Sequence, residues 1–104
     1  MSEDAGLLLE KLNLETGRMD WQALARHFAR GVVIKVGPDR DLVEVAAAFT
    51  TDDKAAVGQW LAEGGIAKAT DADAQAWHEH RTTFWAVVVA PWVLVQEIRP
   101  DTLN

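Results

Sequence analysis

The segment that most constrains the fold is a run of apolar residues near the C-terminus, Phe84 to Val95, interrupted only by Pro91. Read as a β-strand, its alternate positions are apolar on both faces, whereas a strand with water on one side alternates between apolar and polar residues. The run is therefore predicted to lie in the middle of the molecule with both faces covered. Because proline has no amide hydrogen for a central ladder, we predict two strand segments, about 85–90 and 92–97, joined by a kink at Ala90-Pro91.

Two amphipathic helices are predicted near the N-terminus. In the first, over about 4–16, Leu8 and Leu12 recur at helical spacing. Asp20 is a suitable N-cap for the second helix, and Gly31 is expected to end it. The second helix repeats the same apolar spacing, with Trp21, Leu24, Ala25 and Phe28.

The segment GVVIKVGPDRDLVEVAAAF is predicted to form a β-hairpin. Two runs rich in β-branched residues flank a turn sequence in which Pro38 suits the second position. With a four-residue loop over 38–41, Val36 faces Val43 and Lys35 faces Glu44. This register places the apolar side chains on one face and a pair of opposite charges on the other.

Two further helices surround a short extended segment, Ile66 to Ala69. The first begins at Thr50 or Thr51 and ends at Gly64-Gly65, and its predicted buried stripe is Val57, Trp60 and Leu61. Thr70 is expected to cap the second. The whole pattern predicts an α+β fold: two N-terminal helices, a β-hairpin, two further helices and a C-terminal kinked strand that form a small, mostly antiparallel sheet.

Size and charge narrow the classes of protein that this chain can belong to. A chain of 104 residues is expected to form one domain, 1–104. The net charge of −6 disfavours nucleic acid and anionic membranes as partners. The apolar run would measure only about 18 Å as a helix, too short to cross a bilayer. The absence of cysteine and of a basic leader at the N-terminus favours a cytoplasmic protein.

Four segments carry a resemblance to a known family: LNLETGRMDWQALARHFARGVVIKV, DLVEVAAAF, DDKAAVGQWLAEG and FWAVVVAPWVLVQE. They resemble a family of short uncharacterised bacterial proteins, the domain of unknown function 2288, from about Leu12 to Glu97. The resemblance implies a bacterial protein. It implies no activity, ligand or catalytic residue.

The residues do not form a recognisable metal, cofactor or catalytic motif. His78 and His80 in the sequence WHEH are two residues apart on a predicted helix, so they point about 200° away from each other. Helical metal ligands need a spacing of three or four. The paired aspartates at 52–53 and at 71 and 73 fall in first helical turns, where capping and the helix dipole account for them. We therefore predict no metal, no cofactor and no catalytic residue.

Two groups of residues are candidate binding sites. Arg26, His27 and Arg30 on the second helix could hold a small anion, although cations at a helix C-terminus also complement its dipole. Trp85 and Trp92 lie in the apolar run, where one of them could line a groove or an interface, because tryptophan is enriched at interfaces. Trp92 beside Pro91 is the preferred candidate, with Trp85 second.

The sequence therefore favours a small protein-interaction or oligomerisation module without catalytic activity. The alternative is a binder of small anionic ligands that uses the basic cluster of Arg26, His27 and Arg30. The second face of the predicted hairpin is apolar enough to be covered by another layer, so a homodimer or a protein partner is expected. Helices of the same chain could cover this face equally well.

Overall fold

The computed structural model describes residues 2–98, with side chains from Gly6 onward, as five helices and five strands. The fold class predicted from the sequence, α+β with a mostly antiparallel sheet, is confirmed. None of these helices is both long and apolar enough to span a bilayer. In chain order the elements are α1 (Ser2–Glu15), β1 (Gly17–Asp20), α2 (Trp21–Ala29), β2 (Val33–Val36), α3 (Leu42–Thr50), α4 (Lys54–Glu63), β3 (Ile66–Lys68), α5 (Asp71–His80), β4 (Thr83–Val89) and β5 (Trp92–Glu97).

The five strands form a single sheet in the order β1-β4-β5-β2-β3. Neighbouring strands are antiparallel except for β2 and β5, which run parallel with Ile34 beside Leu94. The two strands built from the long apolar run, β4 and β5, therefore have a strand on each side.

Both faces of β5 and most of β4 are covered, as the apolar run predicts, although Trp85 and Val88 of β4 remain exposed. On one face, Val93 and Val95 pack in a cluster with Leu24 of α2 and Trp77 of α5. On the other, Leu94 packs with helix residues of α1 and α3, including Leu12. Val93, Leu94 and Val95 are each at most 2% exposed, so each of them contributes roughly 1.5–3 kcal/mol of hydrophobic stabilisation. We call these two sides the α2/α5 face and the α1/α3 face.

The predicted kinked strand is wrong in one respect: the chain reverses at Pro91 instead of bending. Ala90 and Pro91 form a tight turn with a cis peptide bond between them, and Val89 pairs with Trp92 across it. The two predicted strand segments are confirmed, but they form a hairpin. A proline in such a turn lies outside the strand ladder, so its missing amide hydrogen breaks no ladder hydrogen bond.

The predicted second arm of the earlier hairpin, residues 42–48, is also wrong, because this segment is helix α3. The predicted turn exists, with the Arg40 amide donating to the Gly37 carbonyl at 3.1 Å. Beyond it, Asp41 caps a helix by accepting from the backbone N–H of Val43 at 3.0 Å. The helical spacing of Leu42, Val45 and Ala46 then buries all three side chains against the sheet.

Most of the remaining elements follow the predicted signals, but the predicted start of the helix before Gly64 at Thr50 or Thr51 is wrong. Thr50 ends α3, and Asp53 caps α4, which begins at Lys54. Asp20 caps α2 by accepting from the Ala23 amide at 2.9 Å, and Thr70 caps α5 in a reciprocal box with Asp73. Gly64, with φ of 81°, ends α4 in the left-handed conformation that glycine adopts without strain. One element was not predicted: residues 17–20 form the edge strand β1, which pairs with the first half of β4.

Candidate binding groove at the hairpin tip

An open groove of about 550 Å³ lies on the α1/α3 face, beside the turn that joins β4 and β5. We call it the tip groove. Ile34, Val89 and Trp92 contribute from the sheet, and Pro91 belongs to the turn. Helices α3 and α4 contribute the apolar residues Ala48, Phe49, Val57 and Leu61, together with Gly58. Its polar lining residues are Asp52, Asp53, Lys54 and Lys68.

The groove is open because α4 packs only loosely on the rest of the protein. No residue of α4 is fully buried, and Leu61, predicted to be buried, is 49% exposed. The helix is held near its C-terminal end, where Glu63 forms an ion pair with Arg40. The Arg40 guanidinium also lies 5.7 Å from the ring centre of Trp60. The side of α4 that faces the groove thus keeps apolar surface partly exposed to water.

Gly58 of α4 is one of the residues that line the groove. It lies in the interior of the helix, where glycine costs roughly 0.5–1 kcal/mol relative to alanine. A Cβ atom built at Gly58 would meet nothing within 4 Å. The packing of the described residues therefore does not require a glycine at this position.

The charges around the groove are unevenly paired. Asp53 caps α4 and accepts from the Ala56 amide at 3.1 Å, while Lys54 and Asp52 form a loose, exposed pair at 4.0 Å. Lys68 is exposed and has no ionic partner among the described residues. The groove thus combines an apolar lining with one cation that is free to meet an anionic group.

The predicted interface residues are divided between two places. Trp92 is half-buried and Pro91 is exposed, and both line the tip groove. Trp85 faces the same side of the sheet, because the turn resets the alternation, but it lies at the far end of the hairpin opposite Arg18. The Arg18 guanidinium lies 5.7 Å from the ring centre of Trp85. Trp85 lines a separate cavity of about 330 Å³. An interface role for any of the three stays a prediction.

The predicted anion site lies on the other side of the sheet, on α2. Arg26 and Arg30 are exposed and His27 is half-buried. The backbone of this segment is tied down, because the His27 carbonyl accepts from the Arg30 amide at 3.1 Å. None of the three residues lines the tip groove or the cavity at Trp85. Anion binding by this cluster stays a prediction.

A smaller cavity of about 230 Å³ lies between α5 and the C-terminal ends of β2 and β5. Several of its polar side chains are bonded within the protein: Trp77 Nε1 donates to Glu97 Oε2 at 3.0 Å, and Gln96 Nε2 donates to the backbone carbonyls of Gly37 and Arg40 at 2.7 Å. Lys35 Nζ lies 2.7 Å from Asp73 Oδ2. These bonds join α5 to β2 and β5, and we call this region the junction. Because its polar side chains are already bonded within the protein, we place the candidate binding site in the tip groove.

Asp73 at this junction is a carboxylate with a perturbed pKa. Burial raises the pKa of Asp73, but hydrogen bonds from the Lys35 ammonium and from Thr70, together with the lysine charge, outweigh that effect. The net result is a pKa below the ordinary aspartate value. The bonded carboxylate therefore fastens the start of α5 to β2.

The histidines of the WHEH sequence are both exposed on α5. Within residues 2–98, no cluster of three or more His, Asp or Glu side chains is arranged to hold a metal ion.

Sequence reasoning singled out Trp92 and Pro91, which line the groove, but not Gly58 and Lys68, which line it too. A glycine in the middle of the α4 sequence KAAVGQWLAE was the available signal, since glycine at an interior helical position lowers helix stability. No sequence signal marked Lys68, because its place beside the groove depends on the pairing of β3 with β2.

Fold and groove together define a class: a small α+β protein with a five-stranded mixed sheet, helices on both faces, and an apolar groove at the tip of its central hairpin. The chain belongs to the family described as a protein of unknown function, DUF2288, whose model matches residues 7–97. A comparison with curated proteins finds no match.

A solved structure supports both the fold and the relationship. The chain is similar to a Pseudomonas aeruginosa protein whose structure was determined in solution by NMR, with 43% sequence identity and a TM-score of 0.80. The match covers 100% of this chain and 97% of the Pseudomonas chain.

Proposed function

We propose that this protein is a small protein-interaction module without catalytic activity, and that the tip groove is its binding surface. The observation that carries the proposal is the loose packing of α4, which leaves Val57 and Leu61 along an open apolar groove that also holds Trp92. The volume of about 550 Å³ falls in the range of roughly 300–1,000 Å³ that is usual for ligand pockets.

The occupant that fits this surface is an amphipathic helix of a protein chain. A helix docks in an apolar groove by inserting large side chains from one of its faces. The half-buried Trp92 and the exposed Pro91 beside this groove are suited to such a contact, because tryptophan supplies much of the binding energy at protein interfaces. Lys68 would meet an acidic group on the polar side of the docked helix.

The setting we propose is the bacterial cytoplasm. The similarity to a Pseudomonas protein supports a bacterial origin, and a chain without cysteine suits a reducing compartment. The net charge of −6 argues against nucleic acid as the partner.

A displayed library of random peptides tests the groove, with Gly58→Met and Gly58→Ala as matched variants. Methionine at residue 58 should fill the groove without disturbing the fold, because the site is open, whereas alanine should leave most of the groove free. Peptides selected on the wild-type protein should share apolar residues at helical spacing. They should keep their affinity for Gly58→Ala and lose at least about 10-fold for Gly58→Met.

Two results would contradict the proposal. One is a selection that converges on no common sequence. The other is a set of convergent peptides that bind Gly58→Met as tightly as the wild type, provided that circular dichroism shows both variants folded.

A further inference from the structure

We infer that the helix that docks in the tip groove is α1 of a second copy of this chain, so that the protein forms a twofold dimer. The inference rests on the proposed function, because it names the occupant of the same groove.

The first observation concerns α1, which has an apolar stripe on its outer side. Leu7 is 62% exposed and Leu14 is 83% exposed. They are seven residues apart, two helical turns, and therefore lie on one stripe. Leu12, which packs in the core, projects from the opposite side. Within the described part of the chain, most of the surface of these two leucines is therefore exposed to water.

The second observation is where the exposed apolar side chains lie. Among the described side chains, six large apolar ones are exposed, and four of them belong to α1 and α4: Leu7, Leu9, Leu14 and Leu61. The two helices are neighbours, since Leu9 and Trp60 line one shallow cavity of about 410 Å³. An apolar surface concentrated on one side of a small protein is typical of an interaction site.

The third observation is that the helix with the exposed leucines, α1, and the tip groove lie on the same face of the sheet. Helices α1, α3 and α4 all lie on the α1/α3 face, and the tip groove opens beside α3 and α4. A twofold axis between two such faces lets each copy insert its α1 leucines into the groove of the other. Two equal contacts form at once, which doubles the buried area and closes the assembly as a dimer.

Charge supports the same occupant. Glu10 lies one turn before Leu14 on the exposed side of α1, and Lys68 is the cation beside the groove without an ionic partner among the described residues. A docked α1 would bring a carboxylate of one copy to the free ammonium of the other. Gly58 would give the leucines room for close approach to α4.

Light scattering coupled to size-exclusion chromatography and sedimentation equilibrium test the dimer on the full chain. The wild type should be dimeric at millimolar concentration. Leu14→Glu, at an exposed position that the fold does not need, and Gly58→Met should each weaken the dimer at least about 10-fold. Val88→Thr is the matched control, because Val88 is 54% exposed but faces the α2/α5 side; it should leave the dimer unchanged.

A charge exchange sharpens the test. Glu10→Lys and Lys68→Glu should each weaken the dimer a few-fold, and the double variant should recover most of the loss. A wild type that stays monomeric at millimolar concentration would overturn the inference. So would a dimer that Leu14→Glu and Gly58→Met leave intact, or oligomers that grow without closing. If the chain is monomeric while selected peptides still bind the groove, the proposed function stands and only the second copy is rejected.

Discussion

Helices α4 and α5 have the same length and the same kind of C-terminal cap but differ in how deeply their tryptophans are buried. Each has ten residues and one tryptophan, and each is closed at its C-terminal end by a residue in the left-handed conformation. In α5, Trp77 is 3% exposed. In α4, no residue is fully buried and Trp60 is only half-buried.

The surroundings of the two tryptophans explain the difference. The ring of Trp77 meets Trp21 at 5.9 Å and Phe84 at 5.0 Å between ring centres, and its indole N–H donates to Glu97. Trp60 has Arg40 near its ring on one side and the cavity shared with α1 on another. Two helices of equal length with left-handed C-caps therefore differ in their packing: α5 stabilises the core, whereas α4 leaves apolar surface open to water.

The largest expected difference between the two helices is in the free energy of unfolding that is lost when each tryptophan is replaced by alanine. Trp77→Ala should lower the free energy of unfolding by about 3–5 kcal/mol, because it empties a closed aromatic site and removes the indole that bonds Glu97. Trp60→Ala should cost about 1–2 kcal/mol, since that side chain is only partly buried and has no closed aromatic site around it. Urea unfolding followed by circular dichroism measures both changes.

Trp77→Phe separates packing from the hydrogen bond and should lose less than the alanine variant. Equal losses for Trp77→Ala and Trp60→Ala would show that α4 is packed as firmly as α5, and the distinction between the two helices would be withdrawn.

The parts of the fold that were predicted correctly are those in which a local sequence signal favours the same structure that tertiary packing requires. Thr70 and Asp20 cap their helices regardless of where those helices pack. The run that is apolar on both strand faces is best accommodated in the middle of the sheet. Residues 42–48 carry two patterns at once. Val43 and Val45 alternate as in a strand, while Leu42, Val45 and Ala46 recur as in a helix.

Tertiary structure decided between these two patterns. The positions beside β2 are taken by β5 and β3, so residues 42–48 find no free edge there, and the Asp41 cap favours the helix. The candidate site was less accessible to sequence reasoning, because it joins residues far apart along the chain, such as Gly58 and Trp92. Trp92 was singled out from the sequence because tryptophan is enriched at interfaces, and Pro91 because it is the neighbouring residue. Lys68 carries no such mark.

A smaller effect, with the opposite sign, is expected at Gly58 of α4. Gly58→Ala should raise the free energy of unfolding by about 0.5–1 kcal/mol, because alanine has the higher helix propensity and its methyl group enters open space. The same unfolding measurement detects the gain. Gly64→Ala is the contrasting variant: Gly64 has φ of 81°, so the substitution should destabilise the protein. A loss of stability in Gly58→Ala would mean that α4 lies closer to the sheet than the open groove requires.

The smallest expected effect concerns the ion pair that fastens α5, and it depends on pH. Since the pKa of Asp73 is lower in the folded protein than its ordinary value, the carboxylate contributes stability above that ordinary value. This contribution is lost as the pH falls through the folded pKa. Lys35→Met removes the ammonium partner. It should cost about 0.5 kcal/mol near neutral pH, a small amount because both side chains are partly exposed.

The loss caused by Lys35→Met should shrink as the pH falls below about 4, where the Asp73 carboxylate of the unfolded chain takes up a proton. It should vanish below the lower folded pKa, where the wild-type carboxylate is protonated as well. Urea unfolding at a series of pH values, with Lys68→Met as a matched removal of an unpaired lysine, measures the difference. If wild type and Lys35→Met lose stability in parallel in acid, the junction does not hold α5. The firmness of α5 would then come from Trp77 alone, and only that aromatic site would distinguish α5 from the half-open α4.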